Sequence, residues 1–366
     1  MNRRMEQPEV NGYIHVPFCA VKCGYCAFYS ETGAPPDVVD AYLDRLEETV
    51  IPERLTTLYL GGGTPTLLSA GQLERLIAIL DGKFTFAPGA ERSVEANPET
   101  LDADKIALLR SFFTRISLGV QSFDAALRRK IGRRCSDEVL GRALDLVCGA
   151  GFPHWNCDLI YSLPDETLSQ WEADLRRVGR CGADHVSCYS LTPERSAALG
   201  GRFTVDDRAE AAMYRMAEEV LCEYGIRRYE ISNDATPGAE CRHNVNVWRG
   251  GILRGYGPSA ADFDGEDRHI QVESLSKWLA GVAPECDRIS REKRLNEIFA
   301  VNLRTTEGWS AGSWRQVPHA DEWGDRQRIA ALSAGKFPGC WHISDDRVRL
   351  SAHGMMFWND IAADLL

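Results

Sequence analysis

Six short blocks of the chain, Gly12–Val16, Thr56–Leu60, Arg92–Ala96, Arg115–Val120, Asn156–Tyr161 and His185–Tyr189, are apolar or β-branched, and each ends at a glycine, a proline or a polar cluster, as strands do. Between them apolar residues recur at helical spacing: Val39, Tyr42, Leu43, Leu46 and Val50, then Leu73, Leu76, Ile77 and Leu80, then Val139, Leu140, Ala143, Leu144 and Val147. Ser69, with Gln72 three residues on, forms a capping box before the second stripe, and Ser136 is a candidate cap for the third. Strand and helix alternating in this way leave few solutions, because a helical return delivers the chain to a parallel neighbour with a right-handed crossover. The expected fold class is α/β, a (β/α) barrel or partial barrel, with a doubly wound open sheet as the competing topology.

After the sixth block the pattern predicts a helix over Asp207–Tyr224, a strand over Arg228–Ile231 and a glycine-rich region over Arg249–Gly265. The tail predicts helices near Lys293–Leu303 and Arg326–Ala334, a strand near Arg347–Leu350 and a last helix from Ala352. Its aromatic and methionine residues (Trp309, Trp314, Trp323, Trp341, Met355, Met356, Trp358) are expected mainly in a core. The expected organisation is a β/α core over residues 1–240, a connecting segment over 241–285 and a small C-terminal α+β domain over 286–366.

Composition narrows the function classes. With 53 acidic against 42 basic residues the net charge is −11, which disfavours general nucleic-acid binding. No apolar run approaches the ~20 residues that span a bilayer, and Met1–Val10 lacks the apolar block of a signal peptide. A cytoplasmic location with reduced thiols is expected.

Of the 12 cysteines, nine are scattered and three, Cys19, Cys23 and Cys26, fall in one loop after the first strand, at C-x3-C-x2-C spacing. Full ligation of a four-iron cubane takes four thiolates, so three leave one iron with open coordination sites. An open site on a metal marks chemistry rather than scaffolding. Three other readings of the triplet compete, one of them three unrelated buried thiols. A structural zinc site needs a second ligand pair, and no other C-x2-C occurs; a redox pair of Cys23 and Cys26 does not need Cys19.

The triplet, with Tyr25 before its third cysteine, resembles the radical S-adenosylmethionine (SAM) superfamily. That resemblance implies a partial or full (β/α) barrel and a 4Fe–4S cluster on Cys19, Cys23 and Cys26. It also implies SAM chelated at the open iron, and an electron that cleaves the sulfonium to methionine and a 5′-deoxyadenosyl radical.

Barrel sites gather at the C-terminal ends of strands. There the chain carries Gly61-Gly62-Gly63-Thr64-Pro65-Thr66, Glu95 before Asn97-Pro98, Gly119-Val120-Gln121-Ser122-Phe123 followed by Gly132-Arg133, and Asp158. Glycines let a ligand approach the backbone and its N–H groups. No Gly-Lys-Ser/Thr follows them, so this is not a phosphate loop. Any one of these polar groups is an ordinary loop residue; a row of them at successive strand ends favours a common ligand.

Tyr-Ile-His-Val-Pro-Phe-Cys, Gly-Gly-Gly-Thr-Pro-Thr, Glu-Ala-Asn-Pro, Leu-Gly-Val-Gln-Ser-Phe and Asp-Leu-Ile-Tyr-x-Leu-Pro, in order from Tyr13 to about Gly265, resemble the oxygen-independent coproporphyrinogen III oxidase-like family. The resemblance implies SAM contacts from Tyr13, Gly62, Gly63, Thr64, Glu95, Gln121, Arg133 and Asp158, with Tyr25 near the adenine. The decarboxylases of this family carry a fourth cysteine two residues after the third and a long N-terminal segment; here Phe28 stands in that place and 18 residues precede Cys19. Both departures point to the family's heme-chaperone group. The segment Cys241-Arg242-His243-Asn244-Val245-Asn246-Val247-Trp248 resembles that group's His-Asn-x-x-Tyr-Trp motif, with Val247 in place of tyrosine. The motif implies heme as a further cofactor, with His243 as a candidate axial ligand and Cys241 as an alternative soft ligand. Expected partners are heme or a porphyrin, a reduced flavodoxin or ferredoxin-type electron donor, and an apo-hemoprotein acceptor. The competing activity is oxidative decarboxylation of coproporphyrinogen III.

Overall fold

The computed structural model describes residues 10–192, 198–199 and 204–366. Strands β1 (Val10–Val16), β2 (Glu53–Gly62), β3 (Phe84–Ala96), β4 (Arg115–Gln121), β5 (His154–Tyr161) and β6 (His185–Ser190) lie side by side in that order, all parallel. Each contains one expected block and extends beyond it. The helices Pro36–Thr49, Ala70–Lys83, Ala103–Phe112, Asp137–Gly149 and Leu168–Arg180 carry the returns. Their starts are set locally. Ser69 and Gln72 form the expected capping box, Ser136 accepts from the Val139 N–H, and Thr167 with Gln170 forms a second box.

Beyond β6 the sheet continues through two antiparallel strands, β7 (Arg227–Glu230) and β8 (Asn233–Ala235), with β8 against β6. On the far side of β1 lies β9 (Ile252–Tyr256), parallel to it, followed by antiparallel β10 (Ala261–Phe263), β11 (Arg268–Ile270) and β12 (Glu285–Asp287). The twelve strands run β12-β11-β10-β9-β1-β2-β3-β4-β5-β6-β8-β7. Among the described residues the parallel run is flanked by antiparallel strands on both sides, an α/β fold with a central, mostly parallel sheet.

The stretch 241–285 carries a short helix over Arg242–Trp248 and then β9 to β11, which join the sheet. Two of its glycines serve close packing. A Cβ on Gly255 would stand 2.0 Å from the Ala261 carbonyl oxygen, and one on Gly257 (φ +98°) would stand 2.4 Å from that of His15.

Side chains on the six central strands alternate with period two. One face carries Ile14, Val16, Leu58, Leu60, Val94, Ile116, Leu118, Leu159 and Val186, all buried in the main apolar cluster with the helices. At ~1.5–3 kcal/mol for each fully buried aliphatic side chain, this layer is the main force holding the sheet together. The opposite face is polar, carrying Tyr59, Ser93, Glu95, Ser117, Asn156, Asp158, His185 and Ser187.

Residues 295–365 share a second apolar cluster around Phe299, Trp309 and Trp314. Trp309, Trp314, Trp323 and Met355 are buried as expected, whereas Trp341 and Trp358 are half-buried and Met356 is exposed. Arg304 ties this region to the sheet. Its guanidinium lies 4.5 Å from the centroid of the Trp248 ring and 5.3 Å from that of Trp358, and its Nε donates to Glu230 Oε2 at 2.7 Å. No helix among the described residues is long and apolar enough to cross a membrane.

Candidate functional site

The loop that carries the cysteine triplet is pinned at its base. Phe18–Cys19 pair with Glu31–Thr32, and Glu31 N donates to Pro17 O at 2.6 Å. His15 holds the exit. One ring nitrogen, Nε2, lies 3.0 Å from the Tyr29 carbonyl, which can only accept, so Nε2 bears the hydrogen. Nδ1 then accepts from the Tyr13 hydroxyl at 3.0 Å. Burial lowers the pKa of His15, consistent with this neutral form. Further along, Gly24 N donates to Ile131 O at 3.0 Å, and Tyr29 OH accepts from Leu275 N at 2.6 Å.

Cys19, Cys23 and Cys26 are half-buried along the rim of a cavity of about 710 Å³. Burial pushes the Cys23 and Cys26 thiols up, with Cys19 adding to the rise at Cys23 and both Cys23 and Cys19 at Cys26; the Arg133 guanidinium beside Cys23 opposes the rise. No group of three His, Cys, Asp or Glu among the described residues is set to hold a single ion. Three neighbouring thiols on one loop suit a polynuclear core that spends a different iron on each.

Below the rim, the strand ends deliver most of the predicted residues to the same cavity: Tyr25, Gly62, Gly63, Thr64, Glu95, Gln121, Arg133 and Asp158 all line it. Gln121 reaches it from a left-handed backbone (φ +69°), a costly conformation for a residue with a side chain and one that clusters at functional sites. Gly119 leaves room for the buried Arg133, since a Cβ there would stand 2.8 Å from Nη2. Glu95 accepts from Tyr59 OH at 2.9 Å and Gly62 N at 3.2 Å. Burial, then the neighbouring Asp158, nevertheless push its pKa up to about 7. Burial also raises Asp158, against bonds from Ser117 and Asn156 and the charge of Arg133.

Three placements bear on the expected roles. The glycine turn does not offer free amides, because Gly63 N donates to Val16 O at 2.8 Å, Thr64 N to Phe18 O at 2.8 Å and Gly62 N to Glu95. What the glycines permit is contact: a Cβ on Gly62 (φ +110°) would stand 2.8 Å from the His15 ring, and one on Gly63 would stand 2.6 Å from Phe18 O. Tyr13 does not line the cavity; its hydroxyl is spent on His15 and its ring stacks on Tyr59 at 6.3 Å.

His243 is not in a loop and does not line the cavity either. It opens the helix Arg242–Trp248, is 6% exposed, and lies 5.2 Å from the Tyr59 ring. The Thr57 hydroxyl gives its one hydrogen to Asn11 Oδ1 (2.7 Å), so it accepts from His243 Nδ1–H (2.9 Å). That assigns the lone pair to Nε2. Burial lowers the His243 pKa to about 4, so the ring is neutral.

Several polar residues of the site escaped the sequence reading. Asn156 Nδ2 donates to Ser117 Oγ (2.7 Å) and Asp158 Oδ1 (2.7 Å), and its Oδ1 accepts from Ser187 Oγ (3.2 Å) and meets His185 Nδ1 at 2.7 Å. The signal was present as polar residues at alternate positions of otherwise buried strands: Glu91, Ser93 and Glu95; Arg115 and Ser117; Asn156 and Asp158; His185 and Ser187.

Comparison with known proteins agrees with this geometry. Residues 13–178 match the Radical SAM superfamily. The chain is 36% identical to the heme chaperone HemW of Mycobacterium tuberculosis, over 97% of this chain and 94% of that one, and 30% identical to the heme chaperone HemW of Bacillus subtilis, over 96% and 97%. Among solved structures, the coproporphyrinogen III oxidase HemN of Escherichia coli superposes with a TM-score of 0.84 at 22% identity, over 99% of this chain and 91% of that one, a likeness of fold.

Proposed function

The chain belongs to the radical SAM superfamily, within the HemW group of HemN-like proteins, and from that membership we propose that it is a cytoplasmic heme chaperone that binds heme and passes it to an apo-hemoprotein. The observation that carries the reading is the cysteine triplet on the same cavity as Glu95, Gln121, Arg133 and Asp158, on a chain alignable almost end to end with heme chaperones. Cys19, Cys23 and Cys26 would hold the 4Fe–4S cluster, which supplies an open iron and an electron, delivered by a reduced flavodoxin or ferredoxin-type donor. Gly62, Gly63 and Thr64 would let SAM lie close to the backbone, with Gln121 and Tyr25 beside it. Arg133 would neutralise its carboxylate, and Glu95 and Asp158 would accept from its amino group or hydroxyls. Tyr13 would act at one remove, by holding His15 and through it the cluster loop. Phe28, 70% exposed at the cavity rim, stands where a decarboxylase carries a cysteine.

Anaerobically reconstituted protein should retain heme through gel filtration under reducing conditions and hand it to an apo-hemoprotein. Loss of all heme on the column would sink the chaperone reading. Release of carbon dioxide from coproporphyrinogen III in a parallel assay would favour the decarboxylase instead.

Glu95 makes SAM binding depend on pH. Its folded pKa, about 7, lies above the ordinary 4.5, so the folded protein holds a proton that the unfolded chain has released. For the empty site that contribution to stability is complete below pH 4.5 and is lost as pH rises through about 7. A ligand that donates hydrogen bonds to Glu95 favours the ionised form, so the sign reverses for binding. Affinity for SAM should rise by about tenfold between pH 6 and pH 8. Equilibrium dialysis with labelled SAM reads this directly, and Glu95→Gln should flatten the profile.

A further inference from the structure

Both oxygens of the buried Glu91 carboxylate are spent on one short segment. Oε1 accepts from His243 N at 3.0 Å and lies 3.6 Å from Cys241 Sγ; Oε2 accepts from Arg242 N at 3.2 Å and from Arg115 Nε at 3.1 Å. Arg115 completes the grip, donating through Nη2 to the carbonyls of Ala239 (2.6 Å) and Glu240 (3.2 Å). The two side chains are only 5% and 3% exposed. Cys241, at the start of the helix Arg242–Trp248, supplies no side-chain cap, so a carboxylate from a distant strand satisfies the first amides. Beyond this grip the helix is held by Thr57 at His243 Nδ1, by Asn246 Nδ2 donating to Asn11 Oδ1 at 3.1 Å, and by Arg304 over the Trp248 ring. His243 is its one buried residue, and Asn244 to Trp248 are half-exposed. An element attached by a few polar bonds and little apolar area is the kind that opens locally while the rest of the fold stays intact.

We infer that Glu91, held by Arg115, is the latch of the Cys241–Trp248 segment. Shut, it keeps His243 inside the protein; released, it turns the Nε2 lone pair outward to a heme iron. The choice of heme rests on the chaperone reading, but the latch does not. Glu91 is a positioning residue, and since Arg115, Cys241 and Asn244 border the SAM-side cavity, the latch is within reach of whatever occupies its floor.

Two variants test it in anaerobic, cluster-loaded protein. Glu91→Gln keeps the size and one acceptor oxygen but loses the charge; Arg115→Lys keeps the charge but gives up the bonds to Ala239 and Glu240. Alkylation of Cys241 by iodoacetamide, followed peptide by peptide in a mass spectrometer, should accelerate on the order of tenfold or more in both. The exposed Cys222 serves as the internal constant, and unchanged cluster absorbance reports an intact fold. Glu91→Gln should also take up heme faster than the parent, and His243→Ala added to it should erase the gain. Cys241 as protected in both variants as in the parent overturns the latch. Faster alkylation with heme uptake indifferent to His243 overturns the delivery of that histidine. Faster alkylation with no heme uptake by any form supports the latch and overturns the chaperone reading.

Discussion

Replacing Cys19, Cys23 or Cys26 with alanine should abolish the 4Fe–4S cluster. Changing groups that merely orient metal ligands costs ~10–100-fold in metal affinity, so removing a ligand itself should cost at least about 100-fold. The loop offers no substitute. Position 28, two residues past the triplet, is Phe28, and the nearest other cysteine in sequence is Cys135. Because the loop is fixed by His15, Tyr29 and the Gly24–Ile131 bond rather than by metal alone, the variants should stay folded and fail only in iron content. Iron and sulfide analysis with visible absorbance after anaerobic reconstitution reads the outcome, and Cys222→Ala should match the parent. A Cys23→Ala protein that keeps a full complement of iron would remove the basis for every role assigned to the cavity.

Glu230→Ala should lower the unfolding free energy by about 3–5 kcal/mol, the usual result of removing one partner from a buried ion pair. Glu230 is completely buried and accepts from Ser232 N (2.9 Å), Asn233 Nδ2 and Arg304 Nε (2.7 Å). Its loss leaves a guanidinium wedged between Trp248 and Trp358 without its counter-charge, at the seam where Ile231 N meets Arg304 O and Thr306 N meets Tyr229 O. Arg304→Lys should cost less, about 1 kcal/mol, since the charge survives and the flat stacking does not. Urea unfolding followed by tryptophan fluorescence gives both numbers; a change under about 1 kcal/mol for Glu230→Ala would show that the seam is held elsewhere.

Much of the site was readable from local pattern. The six strands announce themselves by short apolar blocks, and their ends by glycine, proline and polar residues, so Glu95, Gln121, Arg133 and Asp158 could be nominated before any coordinates and do line one cavity. Tyr13 and His243 could not be sorted in the same way. Both sit in or beside motifs that point to ligands, yet the Tyr13 hydroxyl is spent on His15 and the Nδ1 of His243 on Thr57.

By itself the sequence determined the parallel α/β core, the helix starts at Ser69 and Ser136, and the three-thiolate loop, because each depends on residues within a few positions of one another. Only the tertiary structure decided which polar side chains share the cavity and which are spent inside the protein. Glu91 reaches Cys241 across 150 positions and Thr57 reaches His243 across 186, and such meetings follow from strand order and register, which no local pattern encodes.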